Sequence, residues 1–229
     1  MSIFGRKSSD DETIVALLGN ALRRDISFGV LAPDMKLKLA ELKMRYGGSN
    51  HSLREALRVL SSEGLVAAEA QRGFRVASAT EDDLIDTIRL RAEIECMGLG
   101  WAMAAGDVAW EGTVVAARHA LYRAEQAVQQ APADEVALEW DEALRAFHAA
   151  LISACRSPRM IALQKQLYDQ SRRFLLAALR EGRLDFVARH KRQDALLAAV
   201  LERDTALARE LLRAAILSDL LPCETAHGG

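Results

Sequence analysis

Apolar residues recur at helical spacing from the first third of the chain onward. Ile14, Leu17, Leu18, Leu22 and Ile26 share one stripe between Thr13 and Phe28, which predicts a helix stopped by Gly29. Val30 to Asp34 reads as a connector, and Leu39 to Tyr46 as a second, short helix with Leu39, Leu42 and Tyr46 inward. Gly47-Gly48 makes a turn, and Leu53, Ala56, Leu57 and Leu60 set the inward stripe of a third helix running to about Glu63. Ser49 and Ser52 are N-cap candidates for it. Two short apolar runs, Leu65 to Glu69 and Phe74 to Ala77, flank a glycine-containing turn and predict a β-hairpin. Three helices followed by a hairpin make a winged helix-turn-helix, whose third helix enters the major groove of DNA.

From Ser78 on, the pattern is helical throughout. The predicted helices span 81–105, 107–130, 134–155, 158–181, 183–202 and 204–220, with breaks at Gly106-Asp107, Ala131-Pro132-Ala133, Ser157-Pro158, Glu181-Gly182-Arg183 and Arg203-Asp204. Several are apolar over more than half their circumference, as in a packed bundle that also has a partner surface. Residues 1–78 thus form one domain and residues 79–229 a second, in a mainly α fold. No internal repeat or low-complexity segment interrupts them.

Charge sharpens this division. Residues 1–78 carry 12 Lys and Arg against 9 Asp and Glu; residues 79–229 carry 18 against 23. A mildly basic head on an acidic body fits a polyanion-binding module. No apolar run approaches the roughly 20 residues of a membrane span, and Met1 to Asp11 lacks the apolar core of a signal peptide. A cytoplasmic protein with no membrane association is expected. Cys96, Cys155 and Cys223 are odd in number and widely spaced, which predicts reduced thiols rather than a disulfide framework. No GxxxxGK, HExxH, GxSxG or paired Glu-x-x-His motif is present, so an enzyme is not expected.

Three stretches carry a resemblance. Leu22 to Pro33 follows Leu-x-x-Asp-Ile-x-x-Gly-x-Leu-x-Pro. Leu53 to Val66 reads Leu-Arg-Glu-Ala-Leu-x-x-Leu-x-x-Glu-Gly-Leu-Val, and Arg72 to Val76 reads Arg-Gly-x-x-Val. The chain resembles GntR-type regulators. Arg91-x-x-Ile94-Glu95 and Phe147-His148 are similar to the all-helical FCD domain of the FadR/VanR branch. The resemblance implies a one-component transcription regulator, usually a repressor, whose helical domain dimerises and senses a small molecule. By the same resemblance Ser49, Asn50, His51, Ser52, Arg54, Arg72 and Gly73 contact double-stranded operator DNA. Hydroxyls and an arginine at a helix N-terminus suit phosphate and base edges. For Arg54 the alternative is a salt bridge to Glu55 or Glu41. The family's Gly-Val-Ser-Arg-Thr-Pro-Val-Arg reads here Gly47-Gly48-Ser49-Asn50-His51-Ser52-Leu53-Arg54. Asn50 replaces an arginine, and Asn suits adenine rather than guanine.

In the helical domain Leu84, Ile88, Arg91, Glu95 and Leu99 share a stripe. Arg91 and Glu95 stand one turn apart, as a structural ion pair or with Arg91 free to clamp a carboxylate effector. Trp140, Leu144, Phe147, His148, Leu151 and Cys155 share another stripe, which turns His148 inward. Many FCD domains hold a metal with Asp-x-x-x-His on this helix and two further histidines. The matching positions here are Leu144, His148, Gln193 and Ala215. One donor of four predicts no metal or other cofactor; a site could form only through His148 with His190 or His119, with Asp141 as a further donor. The effector pocket is therefore expected around Arg91, His148 and Gln193, with Arg145, Arg189 and His190 of ambiguous rotational phase. A small organic acid is the expected effector. Phe174-Leu175-Leu176 and Leu211-Leu212 fit either the core or a dimer surface. The expected protein is a homodimer on a palindromic operator; the rival is a DNA-binding regulator or interaction protein whose helical domain no longer senses.

Overall fold

In the computed structural model, which describes residues 8–69, 73–131 and 133–220 with side chains from residue 14, the chain divides into two units at Thr80 and Glu81. The first unit contains α1 (Ser8–Ser27), β1 (Lys36–Leu37), α2 (Leu39–Tyr46), α3 (Asn50–Ser62), β2 (Val66–Glu69) and β3 (Gly73–Val76). The strands pair antiparallel in the order β1-β3-β2, with Leu37 opposite Phe74 and Val66 opposite Val76. The hairpin is thus a three-stranded sheet. β1 lies just beyond the predicted connector, and its two residues are too few to show an alternating pattern.

The core of this unit is one cluster built from Leu18, Leu22 and Ile26 of α1, Leu42 of α2, the α3 stripe, and Leu65, Val66 and Val76 of the wing. Leu53, Ala56, Leu57 and Leu60 have no exposed surface, as their spacing predicts. Ile14 and Leu17 do not join them: Leu17 is 63% exposed. The inward face of α1 is narrower than its apolar content suggests. Arg23 forks onto Glu63, Nε to Oε2 at 2.7 Å and Nη2 to Oε1 at 2.5 Å, which ties α1 to the end of α3. Gly48 adopts φ +79°, and an added Cβ would stand 3.0 Å from Leu18 Cδ1, so the turn before α3 requires glycine on both counts.

The second unit is a bundle of α4 (Glu81–Ala105), α5 (Val108–Gln130), α6 (Asp134–Ile152), α7 (Pro158–Arg180), α8 (Phe186–Leu201) and α9 (Thr205–Leu217). α4 packs on α6, α7 and α9; α5 packs on α6 and α8; α8 packs on α9. Side-chain caps set several starts: Asp107 to Trp110 N, Ser157 to Met160 N, Asp185 to Ala188 N and Asp204 to Leu207 N. α6 stops at Ile152 rather than 155, and Arg156 then takes a left-handed φ of 57°. α8 begins three residues later than the spacing predicts because Asp185, not Arg183, is its cap. Phe174 is partly buried, Leu175, Leu176 and Leu212 are core, and Leu211 is partly buried. Among the described residues no helix is long and apolar enough to cross a membrane. Cys96 and Cys155 are buried free thiols, and Cys223 lies outside the described residues.

Candidate DNA-reading end and effector cavity

The N-terminal end of α3 is built by one cap. Ser49 Oγ accepts the Ser52 amide at 3.0 Å and meets Ser52 Oγ at 2.9 Å. This hydroxyl pair fixes which side chains face out. Ser49, Asn50, His51 and Arg54 are exposed, whereas Ser52 is 4% exposed and turned to the core side. The expected direct contact from Ser52 is therefore corrected: its hydroxyl shapes the turn. Arg54 makes no ion pair among the described residues, because Glu55 is taken by Arg58 and Glu41 by Lys38. The bland alternative for Arg54, a salt bridge to either acid, is not what the fold adopts. An exposed cation, an amide and an imidazole thus surround the helix's free N–H groups, where the dipole favours an anion. In the wing, Gly73 is exposed with φ +96° at the start of β3, and Arg75 pairs with Glu69 at 2.8 Å across the hairpin. Arg72 lies outside the described residues.

In the bundle, Arg91 and Glu95 are both buried, and Arg91 Nε donates to Glu95 Oε1 at 2.7 Å. The remaining Arg91 nitrogens face Ser171 Oγ at 3.3 Å and His148 Nδ1 at 3.3 Å, and its guanidinium lies 4.5 Å from the Tyr168 ring centre. Glu95 Oε2 meets His148 Nδ1 at 2.5 Å. The short contact to a carboxylate makes Nδ1–H the donor, which leaves Nε2 of His148 for a ligand. Burial opposes the Glu95 charge, yet Arg91 and His148 hold its carboxyl at about 2. Arg91 is thus held in a buried pair and is not among the side chains that line the cavity, although its Nη1 lies 3.7 Å from Oδ2 of Asp219, which does line it.

That cavity lies among α6, α8 and the end of α9. Leu144, Phe147, His148, Gln193, Leu196 and Ala215 line it, together with Arg189, Arg192, Ser218 and Asp219. His148 and Gln193 are therefore brought together as expected. So are Leu144 and Ala215, the two positions at which the chain offers no donor. Leu144 and Ala215 offer no donor, so His148, Gln193 and the Asp219 carboxylate are the side chains of ligating type left around the cavity. Among the described residues no group of three or more His, Cys, Asp or Glu side chains is placed to hold a metal. His119 and His190 do not line this cavity with His148. His119 and His190 line a separate groove between α5 and α8, about 300 Å³ in volume, with Val115, Arg118, Tyr122, Asp194 and Leu197. Asp141 is buried against Tyr168 and Arg172.

The GntR profile, described as bacterial regulatory proteins of the gntR family, matches residues 17–76, and the FCD domain profile matches residues 86–218. The chain is 36% identical over 222 residues to the HTH-type transcriptional repressor GlaR of Escherichia coli K12, covering 95% of this chain and 99% of that protein. The chain belongs to the GntR family. A second relative of this GntR regulator, the HTH-type transcriptional regulator BphR of Paraburkholderia xenovorans LB400, is 36% identical over 200 residues, 87% of this chain and 80% of that one. Two solved structures share the fold. A GntR transcriptional regulator of Rhodococcus sp. RHA1 superposes with a TM-score of 0.72 at 22% identity over 94% of this chain and 100% of its own. Escherichia coli McbR/YncC does so with 0.74 at 20% identity, over 94% and 99%. The GntR head and FCD domain make this chain a DNA-binding transcription regulator of the FadR/VanR type rather than an enzyme.

Four cavity residues of this GntR regulator, Arg192, Leu196, Ser218 and Asp219, were not among those named from the sequence. Arg192 lies three residues after Arg189 and one before Gln193, so one helical face carries all three; that spacing was the available signal. Ser218 and Asp219 follow the last helical turn of α9, where nothing in the pattern points inward. Arg145 is elsewhere, paired with Glu142 on the bundle surface.

Proposed function

We propose that this regulator is a homodimeric, ligand-responsive repressor in the cytoplasm, that it binds a palindromic operator through the exposed end of α3 and the wing, and that a small organic acid is its effector. The cavity carries the reading. Arg192 lines it, makes no ion pair among the described residues, and bonds only to Ser218 Oγ at 3.2 Å. Beside it, Arg189 Nε and Gln193 Oε1 are buried with no hydrogen-bond partner. Buried polar atoms are almost always satisfied, so a cation and a free donor on apolar walls suit a carboxylate with a short apolar part, and the free acceptor suits a donor group on the same ligand. On the DNA side, Asn50, His51, Arg54 and Gly73 are the proposed contacts, with Ser49 holding the helix end and Arg72 completing the wing.

Such an effector acts by population shift: it stabilises the bundle arrangement in which the two heads no longer match two half-sites. A thermal-shift screen of small carboxylic acids on the full chain tests the sensing half. A specific acid should raise Tm, and the Arg192→Gln variant should lose that response. The same acid should release the protein from operator fragments, and sedimentation should give a dimer. A screen that stays silent favours the rival reading, a DNA-binding regulator whose helical domain does not sense. The observation on that side is the size of the cavity, about 10 Å³ as it stands, room for about one water.

A further inference from the structure

The cavity already contains a carboxylate. Asp219, two residues past the last residue of α9, places Oδ1 2.7 Å from Arg189 Nη1 on α8 and Oδ2 3.7 Å from Arg91 Nη1 on α4. Its side chain is only 8% exposed, and it lines the same cavity as Arg192 and Gln193. Each oxygen is thus turned to a different guanidinium, the arrangement an arginine-bound anion adopts. We propose that Asp219 is a tethered stand-in for the effector's carboxylate: it occupies the anion position at Arg189, and an effector binds by displacing it. The inference rests on the carboxylate reading of the cavity and deepens it.

Three observations support displacement rather than simple addition. The free volume of about 10 Å³ is far below the roughly 300–1,000 Å³ of a small-molecule site, so an organic acid enters only if something leaves. Asp219 lies beyond the last residue of α9, not within the helix. It follows Ser218, the C-cap residue of α9, where the helix's exposed carbonyls disfavour a negative charge. Its backbone amide still donates to Ile216 O of α9 at 3.1 Å, while its side chain is held from other helices, by Arg189 on α8 and Arg91 on α4. Finally, Arg189 keeps a second donor, Nε, unpartnered. An incoming acid that turned to the Nε side of Arg189 would satisfy a buried donor that Asp219, held at Nη1, leaves unpaired. The binding-competent state is then the one in which Asp219 has swung out, and apparent affinity falls by the fraction of molecules in that state. Asp219 sets specificity as well. Only a ligand whose anion out-competes a tethered carboxylate opens the site, so neutral analogues are rejected.

Wild type, Asp219→Asn and Asp219→Ala are compared as full chains. Hydrogen exchange without ligand reads the tether itself: both variants should speed exchange about tenfold in the last turn of α9 and leave α4 to α6 protected. Calorimetric titration with acetate and with succinate reads the competition: both variants should bind these probes about tenfold more tightly than wild type. Adding Arg192→Gln to Asp219→Asn should remove the gain. Unchanged exchange in α9 overturns the tether, whatever the probes do. Faster exchange with equal or weaker probe binding overturns the competition and leaves the carboxylate reading standing. Faster exchange with no binding of either probe to any of the proteins removes the carboxylate reading and the stand-in with it.

Discussion

Asn50 sits one residue past the cap of α3, exposed and without a side-chain partner among the described residues. An amide there can reach adenine N6 and N7 in a two-point contact, whereas an arginine would choose guanine O6 and N7. Such a pair discriminates by about 1–3 kcal/mol against the wrong base. Replacing Asn50 by Arg should therefore move one operator position per half-site from adenine to guanine, read by selecting binding sites from random DNA with both proteins. Identical selected sites would remove Asn50 from base reading. This residue was legible in the sequence because the reading-helix motif fixes its place and the cap fixes its exposure. Ser52 was misread for a reason of rotation: it lies four residues before Ala56 and eight before Leu60, on the core side of the same helix. Asp219 had no such marker. Its position depends on where α9 ends and on arginines of α8 and α4, and neither is a property of the local pattern.

At the scale of elements, periodicity gave every helix among the described residues, with errors of a few residues at their ends, where capping residues and left-handed turns decide. It missed β1, whose two residues gain their strand character only by pairing with β3. It also placed Arg91 and Glu95 on the inner stripe of α4 and left their role open. Packing surrounds the pair with His148 of α6 and with Gln164 and Ser171 of α7. The pair's energetics can be tested by acid. The Glu95 carboxyl has an ordinary value of 4.5 and is held at about 2 in the fold. A depressed carboxyl contributes stability that is complete above pH 4.5 and is lost as pH falls through about 2. Glu95→Gln leaves Arg91 without its closest counter-charge and should cost on the order of 3 kcal/mol at neutral pH. Urea denaturation should then show the gap between wild type and variant narrowing steadily below pH 4.5. Two other buried acids, Glu125 and Asp141, are pushed up by burial against the opposing pull of Arg118 and Arg172; being common to both proteins, they cancel in the difference. A gap that stays constant down to pH 2 would show that Glu95 does not hold its charge through the pair.

For the molecule as a whole, two units with separate cores carry two chemistries, an exposed end that offers N–H groups and a cation to DNA, and a buried cavity that offers arginines to an anion. If the regulator couples these two sites, the coupling is reciprocal. If a carboxylate that binds the cavity weakens operator binding by some factor, the operator must weaken carboxylate binding by the same factor, typically 5–150-fold. The prediction needs no knowledge of how the heads are placed. The acid's affinity is measured by calorimetry with free protein and with protein saturated by an operator fragment, and operator affinity by anisotropy with and without saturating acid. Equal ratios in the two directions are the expected result. The Asp219→Asn variant adds a sharper test. Removing the tethered anion should raise acid affinity for the free and the DNA-bound protein alike if the tether opens equally in both, leaving the coupling factor unchanged. It should shrink that factor if DNA binding holds the tether closed. In the second case the operator gains part of its hold from Asp219 at Arg189, and the variant should bind operator more weakly than wild type even with no acid present.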